Sequence, residues 1–378
     1  MTELPSKPRK VHTILWVLVA GLSVLFAVRL WVGDLYTVVS NSMEPFLNKG
    51  DRVWVQHGLG HPQRFDLLAF RNQAGQSVVK RLCGLPGEQV LIDQSGDLWI
   101  DNRRPERPDF WVPVFDDRLE RVSEHFLHGG LQVDPWVERA GYWEVDASAV
   151  PQGYSQGLMR FRDGVDCGQL LPDGTYQHGS ESVGDVRLRL EAFVAHPGGI
   201  LRLELTEQAD TFQIQLGLDN LEKGRVILTH LQGSSGTPVA ASIAAIPQGV
   251  WFPITYQNRD NRIELWIADQ PVLVHDYDSN LQTLVGSIGE RVRFGATGAK
   301  IGFRSIRIDR DVTYTNRGDV GVGNRLILSP DQFYFLGDNS AVSEDSRILG
   351  PVERSKILGR VVYRLWPWGQ RGRLSSHS

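Results

Sequence analysis

The chain is 378 residues long, beyond the size of most single domains, so two domains are expected, each long enough to bury its own core. With 41% hydrophobic and 22% charged residues and 39 glycines, the composition excludes disorder and collagen-like repeats and suits turn-rich β structure better than a helical bundle. The 40 basic and 44 acidic residues leave a net charge of −4, so no global field points to nucleic acid or to an acidic substrate.

Residues 1–12 are a basic cytoplasmic tail carrying Lys7, Arg9 and Lys10. Residues 13–32, TILWVLVAGLSVLFAVRLWV, would reach about 30 Å as a helix, the thickness of a bilayer core. The basic flank predicts a cytoplasmic N-terminus with everything beyond residue 33 on the far side, and Arg29 can snorkel to the interface. A cleaved secretory signal needs small residues at alternate positions before the cut, whereas Ala27 is followed at that spacing by Arg29 and Gly33 is preceded by Trp31. An uncleaved transmembrane anchor is therefore preferred over a removed signal and over a buried core helix.

Beyond the anchor comes Tyr36-Thr-Val-Val-Ser40-Asn41-Ser42-Met43-Glu44-Pro45-Phe46-Leu47, then a strand-like Asp51-Arg-Val-Trp-Val. Taken alone, the Ser/Pro cluster reads as a turn. Residues 77–88, SVVKRLCGLPGE, read as an apolar strand ended by a Gly-Leu-Pro-Gly turn. Strand alternation puts Lys80 on the face of Val78 and Leu82, and Arg81 on the other with Val79 and Cys83. A lysine aimed at apolar surroundings has its pKa lowered from about 10.4 toward neutrality and can accept a proton, whereas a snorkelling lysine on an edge strand would do nothing. The two cysteines, Cys83 and Cys167, cannot build a disulfide framework and stand in no metal-ligand spacing, so an uncoupled buried thiol is preferred over a single bridge between them.

Through the middle of the chain, alternating runs recur between turn signals, among them Asp185-Val-Arg-Leu-Arg-Leu-Glu-Ala-Phe, Arg262-Ile-Glu-Leu-Trp-Ile and Lys300-Ile-Gly-Phe-Arg-Ser-Ile-Arg-Ile. This pattern predicts an antiparallel β-sandwich, and the lack of a fixed-length repeat argues against a propeller or solenoid. The runs loosely resemble concanavalin-like or laminin-G-like jelly rolls. Trp111, Trp136, Trp143, Trp251 and Trp266 could stack on sugar rings, but core packing is the stronger expectation. His125 and His128 form no HExxH-type metal site. Near the end, Phe335-Leu-Gly337-Asp338-Asn339-Ser340-Ala-Val-Ser343-Glu344-Asp345-Ser346-Arg347 runs from a strand into a loop dense in hydroxyl, carboxylate and guanidinium groups.

Together SNSMEP, Arg64-Phe-Asp66-Leu-Leu-Ala-Phe, VVKRLCGLPGE and GDNSAVSEDSR resemble, in order and spacing, the boxes of bacterial type I signal peptidase (leader peptidase), a membrane-anchored Ser/Lys endopeptidase. The resemblance covers roughly residues 10–104 and 325–368. It implies a mainly β protein: an N-terminal transmembrane helix, a signal-peptidase-type β catalytic core in two parts, 34–104 and 325–368, an inserted β-sandwich over 105–324, and a polar tail over 369–378. By the same resemblance Ser42 is the nucleophile and Lys80 the general base, and Ser40 with the Ser42 backbone N–H forms the oxyanion hole. Ser343 hydrogen-bonds and orients the lysine, Asp345 and Arg347 form a supporting pair, and Asp338 and Asn339 open the same loop. No metal or cofactor is implied, and no nucleic acid. The implied partners are the lipid bilayer and secretory preproteins, cut after small residues in an Ala-x-Ala pattern. The implied location is the bacterial inner membrane, spanned once, with the catalytic and inserted domains on the periplasmic side. The insert is left with a glycan or protein ligand and no catalytic role.

Three places in the chain depart from the family pattern: Phe46 stands where Thr is usual, Ser340-Ala341-Val342 replaces a charged stretch, and Cys83 replaces an aliphatic residue. None touches Ser42 or Lys80. The competing reading is a membrane-tethered binding module whose peptidase-like core is only scaffold. A self-cleaving Ser/Lys regulator fits less well, because such proteins usually lack a membrane span and carry a nucleic-acid-binding domain.

Overall fold

The structure is a computed structural model that describes residues 15–21, 23, 32–94, 96–106, 111–127, 134–148, 157–162, 164–170, 175–179, 182–194, 198–207, 210–219, 224–232, 235–278 and 292–374. Two compact units emerge: Met1–Asp109 with Asn316–Ser378, and Phe110–Thr315. The fold is mainly β. Residues 15–21 and 23 are helical, but among the described residues no helix is long and apolar enough to cross a membrane. Apart from Val32, the rest of the 13–32 stretch expected to span lies outside the described residues, so the transmembrane part of the expected fold class is not carried by the structure.

In the first unit one antiparallel sheet runs Gly33–Thr37, Arg52–His57, Ile357–Trp366, Leu67–Arg71, Ser77–Gly84, Gln332–Leu336, Val352–Glu353, and Gly372–Arg373 also pairs with Ile357–Trp366. The middle strand Leu67–Arg71 is buried on both faces. Leu67 and Ala69 join Val38, Met43, Val53 and Val55 in one core, while Leu68 and Phe70 join Leu82, Phe333 and Phe335 in another, as the two-residue period of a strand requires. Phe70 and Phe335 stack with centroids 4.6 Å apart. Burying each such side chain contributes about 1.5–3 kcal/mol.

A second, three-stranded sheet of Leu326–Ile327, Gln89–Ile92 and Leu98–Ile100 completes this unit. The chain returns to it earlier than the expected boundary of 325. Val322 bridges Ile92, whose N–H donates to the Gly321 carbonyl at 2.7 Å and whose carbonyl accepts from Gly323 at 2.9 Å. The stretch read as a polar tail likewise contributes the strand Gly372–Arg373, too short for any periodicity to reveal.

The second unit holds two large antiparallel sheets. One is ordered Gln270–Asp276, Arg262–Ile267, Trp251–Arg259, Val186–Val194, Lys300–Asp311, Tyr142–Asp146, Trp136–Arg139, with Trp111–Asp116 also on Lys300–Asp311. The other is ordered Ser235–Ile243, Arg225–Gln232, Asp210–Gly217, Ile200–Glu207, Val292–Thr297, Leu158–Phe161, Phe126–Leu127. Val186–Val194 alternates strictly between buried and half-buried positions. Trp136, Phe294 and Phe303 pack against one another, and Phe126 and Phe161 extend the cluster. Trp111, Trp136 and Trp143 are buried, which answers for them the choice between core packing and an open stacking platform. Trp251 and Trp266 are half-buried, and the Arg304 guanidinium lies 4.3 Å from the Trp251 ring. His125 pairs with Glu120, and His128 lies outside the described residues. Cys83 and Cys167 are buried and neither is in a disulfide.

Candidate active site

The turn that follows Val38 carries Ser40 and Ser42, and the strand Ser77–Gly84 carries Lys80. Lys80 is only 4% exposed and Ser42 7%, and the Lys80 Nζ donates to the Ser42 Oγ. Burial is the main cause that lowers the Lys80 amine from 10.5 to about 8. The carboxylates of Asp345, Asp338 and Glu344 oppose that shift, and Arg347 adds to it. The Ser40 and Ser42 hydroxyls are 3.1 Å apart and share a hydrogen bond. A hydroxyl in contact with a desolvated amine of this pKa can lose its proton to it near neutral pH, which is how a weakly nucleophilic serine becomes reactive.

The loop after Gln332–Leu336 closes over this pair. The Asn339 backbone N–H donates to the Ser42 carbonyl at 3.1 Å. At Gly337 a Cβ would fall 2.1 Å from the Ser343 Oγ and 2.6 Å from the Ser42 carbonyl oxygen, so only glycine fits between the loop and the serine. Asp345, expected as a supporting residue, is hydrogen-bonded to the backbone as well as to Arg347. Its Oδ2 accepts from the Gly337 N–H at 3.0 Å, while Arg347 donates to both of its carboxylate oxygens at 2.9 Å. Arg347 is wholly buried and also donates to the Ser340 hydroxyl and carbonyl at 2.7 and 2.8 Å. Ser340 thus occupies a place where the family pattern carries charge, and serves as an acceptor.

One expected contact is absent. Ser343 is fully buried beside Gly337, but its Oγ has no hydrogen-bond partner among the described residues, so the bond expected to orient Lys80 is not made. The amine is held by Ser42 instead. Asp338 in turn does more than open the loop. It receives the Arg81 Nε and Nη2 in a two-pronged pair, both at 2.7 Å, and Arg81 also donates to the Phe65 carbonyl at 3.0 Å. Arg81 is as buried as Lys80, so this strand is not the half-buried one that simple alternation assumed.

Two features escaped the sequence reading. Arg364, nearly buried, donates from Nη2 to the Phe46 carbonyl and from Nη1 to the Gln370 Oε1 at 2.6 Å, and its Nε lies 3.4 Å from Asp51. The Phe46 ring lies 4.9 Å from the Arg81 guanidinium and 5.7 Å from that of Arg364. Phe46, in place of a small polar residue, therefore sits between two cations, a geometry its aromatic face favours. The other feature is a small cleft of about 50 Å³ beside Ser40, walled by Tyr36, Val38, Met43, Ala69 and Val79. Residues 77–80 pair with 68–71 on one side, whereas Gln332–Leu336 pairs only from Arg81 onward. Among the described residues the other side of 77–80 is therefore an open strand edge, running along the cleft.

The family described as signal peptidase, peptidase S26, matches residues 10–141 and 268–366, more than half of the chain. Signal peptidase I U of Bacillus subtilis (strain 168) is 30% identical over 107 residues, covering 27% of this chain and 57% of that one. Signal peptidase I of Bacillus caldolyticus is 28% identical over 96 residues, covering 25% and 52%. The chain thus spans about half the length of the curated relatives it matches. Among solved structures, carbohydrate binding module CBM66 from Bacillus subtilis aligns over 47% of this chain and 97% of its own at 9% identity, with a TM-score of 0.30. The Caenorhabditis elegans galectin LEC-6 aligns over 41% and 97% at 12% identity, with a TM-score of 0.27. Because the family match takes in both separated stretches that build the Ser42 and Lys80 site, the chain belongs to the signal peptidase family, peptidase S26.

Proposed function

We propose that the chain is a membrane-anchored serine endopeptidase that removes signal peptides from secreted preproteins, with Ser42 as nucleophile and Lys80 as general base. The observation that carries this reading is the buried Lys80 amine, lowered to about 8, donating to the Ser42 hydroxyl. The substrate adds as an extended strand to the open edge of residues 77–80, and the cleft between Val38, Met43 and Ala69 takes a small side chain such as Ala ahead of the cut. Lys80 takes the Ser42 proton as Oγ attacks the scissile carbonyl. The oxyanion is received by the Ser40 hydroxyl and the Ser42 backbone N–H, donors of a kind that contribute about 3–4 kcal/mol. The Lys80 ammonium then returns its proton to the departing amine, leaving an acyl group on Ser42. A water then gives a proton to Lys80 as its oxygen attacks the acyl carbonyl, and the Lys80 ammonium returns that proton to the Ser42 Oγ as the acyl bond breaks, which frees the new carboxyl end and restores the hydroxyl. Every step uses groups of this chain, the substrate and water.

Residues 13–32 are proposed as the anchor that holds this chemistry at the periplasmic surface of the inner membrane, where Ser42 lies ten residues past the apolar stretch. No catalytic step is placed in Phe110–Thr315. The test is cleavage of a preprotein bearing an Ala-x-Ala site by purified protein in detergent, beside Ser42→Ala and Lys80→Ala. Cleavage by the unaltered chain alone supports the proposal. Equal cleavage by all three sinks it, and a binding function untouched by either substitution would favour the scaffold reading.

A further inference from the structure

Away from the Ser42 cleft, and sharing no lining residue with it, the first unit contains a cavity of about 500 Å³ between the loop 58–66 and the strand Ile357–Trp366. That volume lies within the ~300–1,000 Å³ typical of small-molecule sites. Its apolar floor is Leu59, Val362 and Leu374, and its polar wall gathers Arg360, Arg373, His57, His61 and Asp66. Asp66 is already neutralised, since its Oδ2 accepts from Arg360 at 2.7 Å and from the Gln63 N–H at 2.7 Å. Arg360 is held in place by a second bond, to the His61 carbonyl at 2.8 Å. Arg373 is exposed and has no ion-pair partner among the described residues. Of the two guanidiniums in the lining, Arg360 is paired with Asp66 and Arg373 is the one left to meet an anion. Arginine is the side chain best matched to the oxygens of a phosphate.

The place of the cavity narrows the ligand. The His57 N–H donates to the Val32 carbonyl at 3.2 Å, and Gly33 pairs with Gln56, so the rim of the cavity adjoins the point where the chain leaves the 13–32 stretch. His57 is braced there by Asp34, its Nε2 lying 3.1 Å from the carboxylate. We propose that this cavity binds the phosphodiester of an anionic phospholipid headgroup, with Arg373 as the principal contact and Arg360 as the second. The phosphate chemistry rests on the guanidiniums of the wall, whereas the lipid source rests on the anchoring proposed above. The unesterified oxygens of a phosphodiester can each accept from the Arg373 guanidinium, with Leu59, Val362 and Leu374 beside them for the apolar part of the headgroup.

The test uses the full chain in a neutral detergent, carrying Ser42→Ala so that binding is read without turnover. Calorimetric titrations are run with glycerophosphoglycerol, with short-chain phosphatidylglycerol, and with inorganic phosphate. Both diesters are expected to bind, and Arg373→Gln should weaken each about tenfold or more, the worth of one charge-assisted hydrogen bond. Arg225→Gln, a charge removed from an exposed strand end in the other unit, should leave them unchanged. His61→Ala supplies a second lesion in the wall should Arg373→Gln alter the fold, which circular dichroism reads. Equal affinities in the Arg373 and Arg225 variants overturn the site, and so does the absence of binding to either diester. Binding of inorganic phosphate alone overturns the headgroup assignment. A cleavage-dead protein that still binds the diesters through Arg373 separates this inference from the peptidase proposal.

Discussion

Replacing Lys80 by methionine should abolish turnover and make the protein more stable. In the unfolded chain a lysine keeps its ordinary pKa of 10.5, whereas burial brings the folded Lys80 to about 8. At 1.36 kcal/mol per pH unit, that gap means a charged Lys80 costs about 3 kcal/mol of folding free energy. The sign follows from proton counting: between pH 8 and 10.5 the unfolded state binds more protons than the folded one, so stability rises with pH through that window, and below about 8 the full cost applies. Lys80→Met has a similar volume and no charge to bury, so at pH 7 it should recover a sizeable part of that ~3 kcal/mol, less the lost contact with Ser42. On the proposed mechanism the same pKa governs the rate. kcat/KM should climb about tenfold per pH unit up to a midpoint near 8 and then level off, because only the neutral amine accepts the Ser42 proton. Urea midpoints of the two proteins at pH 7 and pH 10, read beside the pH–rate profile, check both limbs. A Lys80→Met protein less stable than its parent at pH 7, or a rate midpoint at the ordinary lysine value, would refute the reasoning.

Three further outcomes are expected. Gly337→Ala should lower kcat about a hundredfold with a smaller change in KM, because the new methyl would push on the Ser42 carbonyl and misplacement of about 1 Å costs that much; steady-state kinetics reads the split. Asp345→Asn should cost about 3–5 kcal/mol in a denaturant titration, since it leaves the fully buried Arg347 guanidinium without its carboxylate and weakens the acceptor of the Gly337 N–H. Phe46→Thr, which restores the usual family residue, should cost about 1–2 kcal/mol by the same measurement, because the ring's contacts with Arg81 and Arg364 are lost.

The chemical heart of the site was legible because it depends on residue types at particular places: a serine after a turn, a lysine in an apolar strand, and a polar loop led by Gly-Asp-Asn. What alternation could not convey was the partner of Arg81. The rule placed its side chain opposite Lys80, but that this face is also buried depends on Asp338, 257 positions away in sequence. Ser343 shows the converse limit. Its type suited a bond to Lys80, yet the direction of a loop side chain is set by what crowds it, here Gly337, and the hydroxyl does not reach the amine. Arg364 offered no local signal either, since an arginine in an alternating strand reads as a solvated face until the turn carrying Phe46 is folded against it. In the second unit the period-two pattern foretold strands such as Val186–Val194 and Arg262–Ile267, because each of these buries one face, whereas it carried no information on which strands neighbour one another.

The most direct test of the central claim is intact-mass and peptide mapping of protein quenched in acid during turnover of an Ala-x-Ala substrate. The account predicts an acyl adduct on the peptide containing Ser42, formed by the unaltered chain and lost together with product in both Ser42→Ala and Lys80→Ala. An adduct on any other residue, or undiminished product from Ser42→Ala, would contradict it.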